Sequence, residues 1–274
     1  MKGLSVHQLQ FIFGLLGNII SFMVFLAPVP TFWTVYKKKT SEGFQCIPYV
    51  VALMSAMLLL YYAVLKTNAY LLISINSFGC VIELIYIALY FYYAPKKLKI
   101  FTLKLLMILN LGSYGVMVGG TMLILHGNKR THAVGWICAA FNLAVFASPL
   151  AIMKRVITTK SVEYMPFSLS FFLTLSATMW FFYGFFIKDL FIALPNIVGF
   201  LLGMVQMIMY MIYKDRKGNS LEEKLEEGGK KYEVDDQSLS KYKGQIRRIL
   251  DLVLEEYRFS RENYNALDVV EPTT

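Results

Sequence analysis

Apolar residues dominate the first 214 positions of the chain in seven long runs, which charged and turn residues separate. Each run approaches or exceeds the roughly 20 residues that an α-helix needs to cross the hydrocarbon core of a bilayer. The pattern therefore predicts seven membrane-spanning helices. Their approximate bounds are 9–35, 45–65, 70–93, 102–125, 133–153, 167–187 and 191–213.

A second pattern occurs twice within these runs, about 120 residues apart. Its two copies are Phe25-Leu-Ala-Pro28, Pro48, Ser55-Ala56, Tyr62 and Asn76-x-x-Gly79, then Phe146-Ala-Ser-Pro149, Pro166, Ser176-Ala177, Tyr183 and Asn196-x-x-Gly199. Each copy spans three predicted helices, and the extra helix at 102–125 gives both copies the same orientation. The sequence predicts an all-α membrane protein of two parallel three-helix bundles joined by an inverting linker helix.

This 3+1+3 arrangement divides the chain into four expected parts. They are a first three-helix bundle at 1–98, a linker helix at 99–128, a second three-helix bundle at 129–217 and a cytosolic, mostly disordered tail at 218–274. Within the tail, residues 245–258 carry apolar residues at the spacing of one helical face. That spacing predicts a helix that binds a partner or the membrane surface.

Composition and charge agree with a membrane protein. The chain is 57% hydrophobic and only 16% charged, and its formal net charge of +9 comes from basic clusters at the ends of the apolar runs. Topology explains these clusters better than a nucleic-acid partner does. The loops on one side hold 13 Lys and Arg residues against 5 on the other. The positive-inside rule therefore places the N-terminus outside and the C-terminus in the cytosol.

Asn76 and Asn196 occupy equivalent positions of the two copies, inside predicted membrane helices. Such amides can hold helices together, but their equivalence makes them face each other across a pseudo-twofold axis. An amide donates and accepts hydrogen bonds, which suits a ligand with hydroxyl groups. Ser55 and Ser176 form another equivalent pair, and Trp180 lies one helical turn after Ser176 with a flat apolar ring. These residues predict a site for a sugar.

Four prolines recur as two equivalent pairs near one end of the repeat helices: Pro28, Pro48, Pro149 and Pro166. A proline there either ends a helix at the membrane interface or creates a pivot, because it removes a backbone hydrogen bond. The symmetric recurrence favours four pivots that form a cytoplasmic gate.

Acidic residues are rare in the apolar body. Asp189 can pair with Tyr62 or Lys66 at the opposite end from the prolines, which predicts an extracellular gate. Glu83 lies deep within a predicted span and is either a proton relay or a structural residue that is neutral or hydrogen-bonded. The second copy has Gly203 in its place, which favours the structural role.

Motifs of enzyme chemistry are missing from the sequence. It contains no nucleophile elbow, phosphate-binding loop or paired carboxylates, and its three cysteines lack metal-ligand spacing. We therefore expect neither enzymatic activity nor a cofactor or metal.

More specific motifs lie between residues 9 and 214. They are Gly17-Asn-Ile-Ile-Ser21, Ala27-Pro-Val-Pro-Thr31, Thr40-Ser-Glu-Gly-Phe44, Ile75-Asn-Ser-Phe-Gly79, Ser161-Val-Glu-Tyr-Met-Pro-Phe167 and Ala193-Leu-Pro-Asn196. This stretch resembles the SWEET sugar transporters, in particular the plant members that carry sucrose. The resemblance implies bidirectional, energy-independent sugar movement by alternating access. It also implies sugar contacts at Asn76, Asn196, Ser176 and Trp180, and the two gates named above.

The resemblance extends to the expected lining of the sugar pocket. Ser21, Val24 and Val145 match the small or medium residues of the sucrose-carrying members. Leu59 departs from them, since such members usually carry a second Trp there, and Asn142 stands where they carry Ser. These two departures leave the choice between a monosaccharide and a disaccharide open.

Two other functions compete with a gradient-driven sugar uniporter. A proton-coupled PQ-loop transporter would use Glu83 as its coupling site, and a seven-helix receptor would share the topology but lack the internal repeat. The expected partners are a sugar and the lipid bilayer, with a homo-oligomer left open and no nucleic acid. The expected location is the plasma membrane.

Overall fold

A computed structural model describes residues 5–162, 165 and 167–214, which form ten α-helices and one π-helical segment. The helices are Val6–Leu26 (α1), Val29–Lys38 (α2), Ile47–Val64 (α3), Tyr70–Tyr93 (α4), Lys96–Leu105 (α5), Tyr114–Ile124 (α6), Gly127–Val145 (α7), Ala147–Thr159 (α8), Phe167–Phe186 (α9) and Leu190–Tyr213 (α10). The π-helix Leu106–Ser113 joins α5 to α6. Pro166 and the predicted tail at 218–274, with its helix at 245–258, lie outside the described residues.

Seven segments of the described chain are long and apolar enough to cross a membrane. They are α1 with α2, α3, α4, α5 with the π-helix and α6, α7 with α8, α9, and α10. The prediction of an all-α fold with seven spans is therefore confirmed. The fourth and fifth spans begin at Lys96 and Gly127, six residues before their predicted starts, because their first turns are polar. Hydropathy locates the apolar part of such a helix and misses its polar first turn.

The first and fifth spans are broken at nearby positions of the repeat, Ala27-Pro28 between α1 and α2 and Phe146 between α7 and α8, about two residues apart in the alignment of the copies. Pro28 lacks the N–H that would continue the helix, and Pro149 lies in the first turn of α8. The short helices that follow end alike, since Lys39 and Lys160 both adopt a left-handed backbone with φ of 54° and 53°. The repeat in the sequence is thus also a repeat in the backbone.

The loops at the opposite end repeat as well. Asn68 follows α3 with φ of 59°, and Lys188 follows α9 with φ of 56°. We call this end of the molecule, with the loops 65–69 and 187–189, the latch end. The opposite end, with α2 and α8, is the kink end.

The six repeat helices pack as a closed ring. α1 contacts α4 and α9, α3 contacts α4 and α7, and α10 contacts α7 and α9. Within each copy the third helix therefore lies between the first and the second. The two copies meet where the first helix of one contacts the second helix of the other, at α1–α9 and at α3–α7. The arrangement stays the same when the two copies are exchanged, and it encloses a central space that all six helices border.

The linker span lies outside this ring. Its π-helix contacts α3, and α6 contacts α7. Large apolar side chains on its outer face are strongly exposed, including Val116, Leu123 and Ile124. Exposure of such residues is expected where lipid replaces water around a helix.

The α9–α10 turn depends on a very close approach of two backbones at Gly184. A Cβ atom at this position would lie 2.8 Å from the backbone nitrogen of Ala193 and 3.1 Å from the carbonyl oxygen of Asp189. Any larger residue therefore forces the two helices apart. Gly119 in α6 provides a contrast, because a Cβ atom there would meet no atom within 4 Å.

The Gly184→Ala variant is expected to lower stability by about 1–3 kcal/mol, the cost of overpacking a close contact. Gly119→Ala is the matched control and should leave stability unchanged or slightly raised, because Ala favours the helix. Thermal unfolding of both purified variants in detergent measures the difference. Equal melting temperatures for the two variants would show that the α9–α10 turn tolerates separation.

Candidate functional site

A cavity of about 330 Å³ lies where the six repeat helices converge. We call it the central cavity. Its wall is formed by Ser21, Phe25, Ala52, Ser55, Ala56, Leu59, Leu72, Ile75, Asn76, Asn142, Val145, Phe146, Trp180, Phe191, Ile192, Pro195 and Asn196. None of these lining residues carries a charge, and hydroxyl and amide groups alternate with apolar surface. Such a wall suits a neutral ligand with several hydroxyl groups.

Asn76 and Asn196 both lie on the wall of the central cavity and make equivalent hydrogen bonds. Asn76 Nδ2 donates to the carbonyl oxygen of Leu72 over 2.8 Å, and Asn196 Nδ2 donates to that of Ile192 over 2.7 Å. These bonds fix the orientation of each amide within its own helix. Neither Oδ1 atom accepts a hydrogen bond from the described residues, so both acceptors are available to a ligand.

The remaining polar residues of the site hold the two copies together. Ser21 Oγ and Ser176 Oγ lie 2.9 Å apart and join α1 to α9. Ser55 Oγ donates to Asn142 Oδ1 over 2.7 Å and joins α3 to α7. Ser21 and Asn142 are equivalent in the repeat, as are Ser55 and Ser176, so the two junctions between the copies carry equivalent bonds.

Trp180 gives the central cavity its one large polar aromatic wall. Its Nε1 donates to Ser21 Oγ over 2.9 Å, and its ring lies so close to α1 that a Cβ atom on Gly17 would be 3.0 Å from it. The repeat-equivalent residue is Leu59, which also lines the cavity. The two sides of the site therefore differ, with an indole on one and an aliphatic side chain on the other.

Most of the predicted sugar contacts share this one cavity. Val145 lines it with the residues above, whereas Val24 is half-buried outside its wall. Ser176 lines a neighbouring cavity and reaches the central one through Ser21. The structure thus brings eight of the ten predicted residues together, and their role in binding stays a prediction.

Sequence reasoning missed nine of the seventeen lining residues, among them Phe25 and Phe146. Each of these two lies three residues before a repeated proline and packs against a glycine of the third helix in its copy. A Cβ atom would lie 2.7 Å from Phe25 if placed on Gly79, and 3.1 Å from Phe146 if placed on Gly199. The pairing of an aromatic residue with a glycine in both copies is the sequence signal for this contact.

Asp189 closes the latch end. Its Oδ2 accepts a hydrogen bond from Tyr62 Oη over 2.8 Å and forms an ion pair with Lys66. Its Oδ1 accepts from the backbone of Phe191 over 3.0 Å and so caps α10. At 3% exposure the carboxylate is buried, yet it is paired through both oxygens. We call the contact of Tyr62, Lys66 and Asp189 the latch.

A wider cavity of about 730 Å³ lies at the latch end. Its wall includes His7, Gln10, Lys66 and Asn68. It shares two lining residues with the central cavity, Leu72 and Ile192. These two are repeat equivalents, and their carbonyl groups hold the amides of Asn76 and Asn196. The latch and this apolar pair therefore separate the wide cavity from the central one.

The prolines lie toward the kink end. Pro28 caps α2, Pro48 is the second residue of α3 and Pro149 is the third residue of α8. In the first copy, Tyr86 Oη donates to the carbonyl oxygen of Phe25 over 2.8 Å. That bond satisfies a backbone acceptor beside the break between α1 and α2.

Glu83 lies away from the central cavity, within the first copy. It is 4% exposed, and its Oε2 finds no hydrogen-bond partner among the described residues. One expectation for Glu83 was a hydrogen-bonded carboxyl group. No such hydrogen bond is seen at Oε2 among the described residues. Neither the wall of the central cavity nor the latch includes Glu83.

Comparisons with known proteins agree with this architecture. A family model described as "Sugar efflux transporter for intercellular exchange" matches residues 11–98 and again residues 132–218. The bidirectional sugar transporter NEC1 of Petunia hybrida is 65% identical over 217 residues, which cover 79% of this chain and 82% of that protein. The bidirectional sugar transporter SWEET9 of Arabidopsis thaliana is 62% identical over 211 residues, covering 77% of this chain and 82% of the relative.

A solved structure shows the same fold. The structure of a eukaryotic SWEET transporter at 3.7 Å resolution matches 76% of this chain and 97% of its own chain, with a TM-score of 0.72 and 33% identity. The family model covers more than half of this chain, and its two matches fall on the two copies of the repeat. The chain therefore belongs to the MtN3/SWEET family of sugar transporters.

Proposed function

We propose that this protein is a bidirectional sugar transporter that moves its substrate down a concentration gradient by alternating access. The observation that carries this proposal is the central cavity, where two repeat-equivalent amides present unpaired acceptors in an uncharged wall. The curated relatives of this chain are named bidirectional sugar transporters, which supports the same function.

The site suits the two surfaces of a sugar ring. Asn76 and Asn196 accept hydrogen bonds from hydroxyl groups at the edge of the ring, and Trp180 offers a flat surface to its C–H face. Asn142 and Ser55 already bind each other, so they hold α3 against α7 beside the sugar. Leu59 leaves one side of the site without a second indole, and both hexoses and sucrose are substrates to be tested.

Two gates make the central cavity accessible from one side at a time. The latch closes the end that we assign to the extracellular side, with the N-terminus outside. We assign the cytoplasmic gate to Pro28, Pro48, Pro149 and Pro166. The breaks between α1 and α2 and between α7 and α8 let the inner parts of these spans swing while the outer parts stay packed. The plasma membrane is the proposed location.

Proton coupling is the second candidate, and the buried, unpartnered Oε2 of Glu83 is the observation behind it. Coupling requires that the proton site and the sugar site affect each other. Glu83 lines neither the central cavity nor the latch, which favours uncoupled transport.

Counterflow of labelled sugar into proteoliposomes tests the proposed function. Purified protein should exchange labelled glucose or sucrose in both directions, and with equal sugar on both sides it should not accumulate sugar when the outside is acidified. Protein-free liposomes give the background. Exchange without uphill accumulation supports a uniporter, accumulation would favour proton coupling, and absence of exchange for both sugars would overturn the proposal.

Asn76→Ala and Asn196→Ala should each lower kcat/KM for counterflow about tenfold to a hundredfold. Each substitution leaves sugar hydroxyls unpaired in a desolvated site, at a cost of about 1–3 kcal/mol. Ser74→Ala is a matched control, because Ser74 lies on the same helix and binds Asn18 outside the central cavity. Wild-type rates in both asparagine variants, with equal amounts of protein in the membrane, would remove the amides from the sugar site.

Asp189→Asn should open the latch. Asparagine can still cap α10. It lacks the negative charge of Asp189, which holds Lys66 and also strengthens the hydrogen bond from Tyr62. A cysteine placed at Ala56, which lines the central cavity, should then react about tenfold faster with an impermeant thiol reagent added outside. Lys188→Gln changes a neighbouring exposed charge and should leave the rate unchanged. Equal rates in Asp189→Asn and the parent would contradict the latch.

A further inference from the structure

The second copy of the repeat contains a cavity at a place where the described side chains of the first copy are packed together. This space of about 390 Å³ lies toward the kink end among α8, α9 and α10, and we call it the inner cavity. It shares Phe146 and Asn196 with the central cavity, so the two spaces are neighbours along one wall. A ligand that leaves the central cavity toward the kink end on this side meets the inner cavity next.

The equivalent space of the first copy is filled by side chains. Ser170, Gly203 and Gln206 line the inner cavity, and their repeat equivalents are Tyr49, Glu83 and Tyr86. Phe32 stacks on Tyr86 with ring centroids 4.5 Å apart and contacts the edge of Tyr49 at 4.9 Å. The smaller Ser170 and Gln206 in place of the two tyrosines therefore leave space in the second copy where the first is packed. Beside Gly203 the space is instead taken by the side chain of Thr174.

Two residues with polar side chains in the wall of the inner cavity are largely buried. Gln206 is 8% exposed and Ser170 is 4% exposed. Neither the amide of Gln206 nor the hydroxyl of Ser170 makes a hydrogen bond to any described residue. The fully buried, unpartnered side-chain atoms of the described residues are Ser41 Oγ, Glu83 Oε2 and Asn110 Oδ1. The polar atoms of Gln206 and Ser170 are not among them and therefore keep some accessible surface in a wall that a ligand can reach. Both line a space large enough for a ligand that supplies the missing bonds.

The chemistry of the wall indicates which ligand this is. Ser148 and Ser176 add hydroxyl groups, Asn196 adds a second amide, and no lining residue is charged. An ion would find no countercharge there, and a lipid tail would leave the amide and hydroxyl groups unpaired. A neutral molecule with several hydroxyl groups satisfies them, and Phe146 with the aliphatic side chains covers its C–H surface.

We propose that the inner cavity is a second sugar-binding site, distinct from the central one and present only on the side of the second copy. This inference rests on the proposed sugar transport and adds an intermediate stop for the sugar between the central cavity and the kink end. Because the first copy is packed at the equivalent place, the route toward the kink end is asymmetric within a symmetric fold.

Protection of an introduced cysteine tests this site. Ser170→Cys is nearly isosteric and keeps Gln206, so sugar in the inner cavity should slow alkylation of the new thiol by a small neutral reagent. The decisive variant combines Ser170→Cys with Asn76→Ala, because Asn76 lines the central cavity and not the inner one. Protection should persist in this double variant. The chain without an introduced cysteine gives the background from Cys46, Cys80 and Cys138.

Two further variants separate binding from a general change of conformation. Gln206→Leu in the Ser170→Cys chain should raise the protecting sugar concentration about fivefold, the factor expected for one lost neutral hydrogen bond. Thr178→Cys is the matched control on α9, because Thr178 binds the carbonyl oxygen of Thr174 and lines neither cavity. Its alkylation should not respond to sugar.

The outcomes distinguish this site from the proposed function. Counterflow by the unmodified chain in the same preparation tests transport itself. If counterflow is active but sugar gives no protection, or protection is lost with Asn76→Ala, the inner site is overturned while the transporter stands. Equal protection of the Thr178→Cys control, or protection by a fatty acid but not by sugar, would also overturn it. Absence of counterflow would instead count against the proposed function.

Discussion

The structure depends on the pairing of polar groups inside an apolar helical ring. An unpaired amide or hydroxyl in such an interior is costly, and association of membrane helices relies on close packing and interhelical hydrogen bonds. Here a repeat-equivalent polar bond lies at each junction between the copies, Ser21 with Ser176 and Ser55 with Asn142. These bonds align α1 with α9 and α3 with α7, and the central cavity forms between them. Two polar atoms that stay unpaired, Oδ1 of Asn76 and Oδ1 of Asn196, belong to residues that line the cavity and are available to a ligand.

Because of the pseudo-twofold relation, local contacts of the first copy recur in the second. Gly14 approaches Leu71 as Gly135 approaches Phe191, and Asn76 binds Leu72 as Asn196 binds Ile192. A symmetric pair of bundles can exchange roles, since a displacement of one copy against the other opens one end as it closes the other. Alternating access follows from this geometry if the contacts at the two ends are weak enough to break in turn.

The two ends use different physical means. At the latch end, a buried carboxylate is held by a charge and a phenol that both come from the first copy. Breaking the latch requires solvation of Asp189 and Lys66. Water that enters the wide cavity therefore favours opening of the latch. At the kink end, control lies in the backbone, where missing amide protons at prolines weaken the helix. If the two ends act as the proposed gates, electrostatic closure at one and backbone compliance at the other would make the gates separately adjustable.

Much of this architecture follows from the sequence, because hydropathy and an internal repeat are strong signals. The seven spans, the inverting linker and the equivalence of Asn76 with Asn196 need no coordinates. The π-helix at Leu106–Ser113 was not predictable in this way, since its residues are as apolar as those of an α-helix. Val24 was expected in the pocket and lies outside its wall, because a resemblance gives a position in the chain and not the way that the helix faces the cavity there.

The inner cavity marks the limit of what periodicity can reveal. The cavity exists because Ser170 and Gln206 have smaller side chains than their equivalents in the first copy. Those equivalents, Tyr49 and Tyr86, are packed around Phe32. A comparison of the two copies shows that side chains shrink at these positions, but only coordinates show that no other residue fills the space. Duplicated folds keep symmetric contacts where both copies must move alike. Where the copies differ in side-chain volume, as they do here, each half is free to acquire a separate role along the same path.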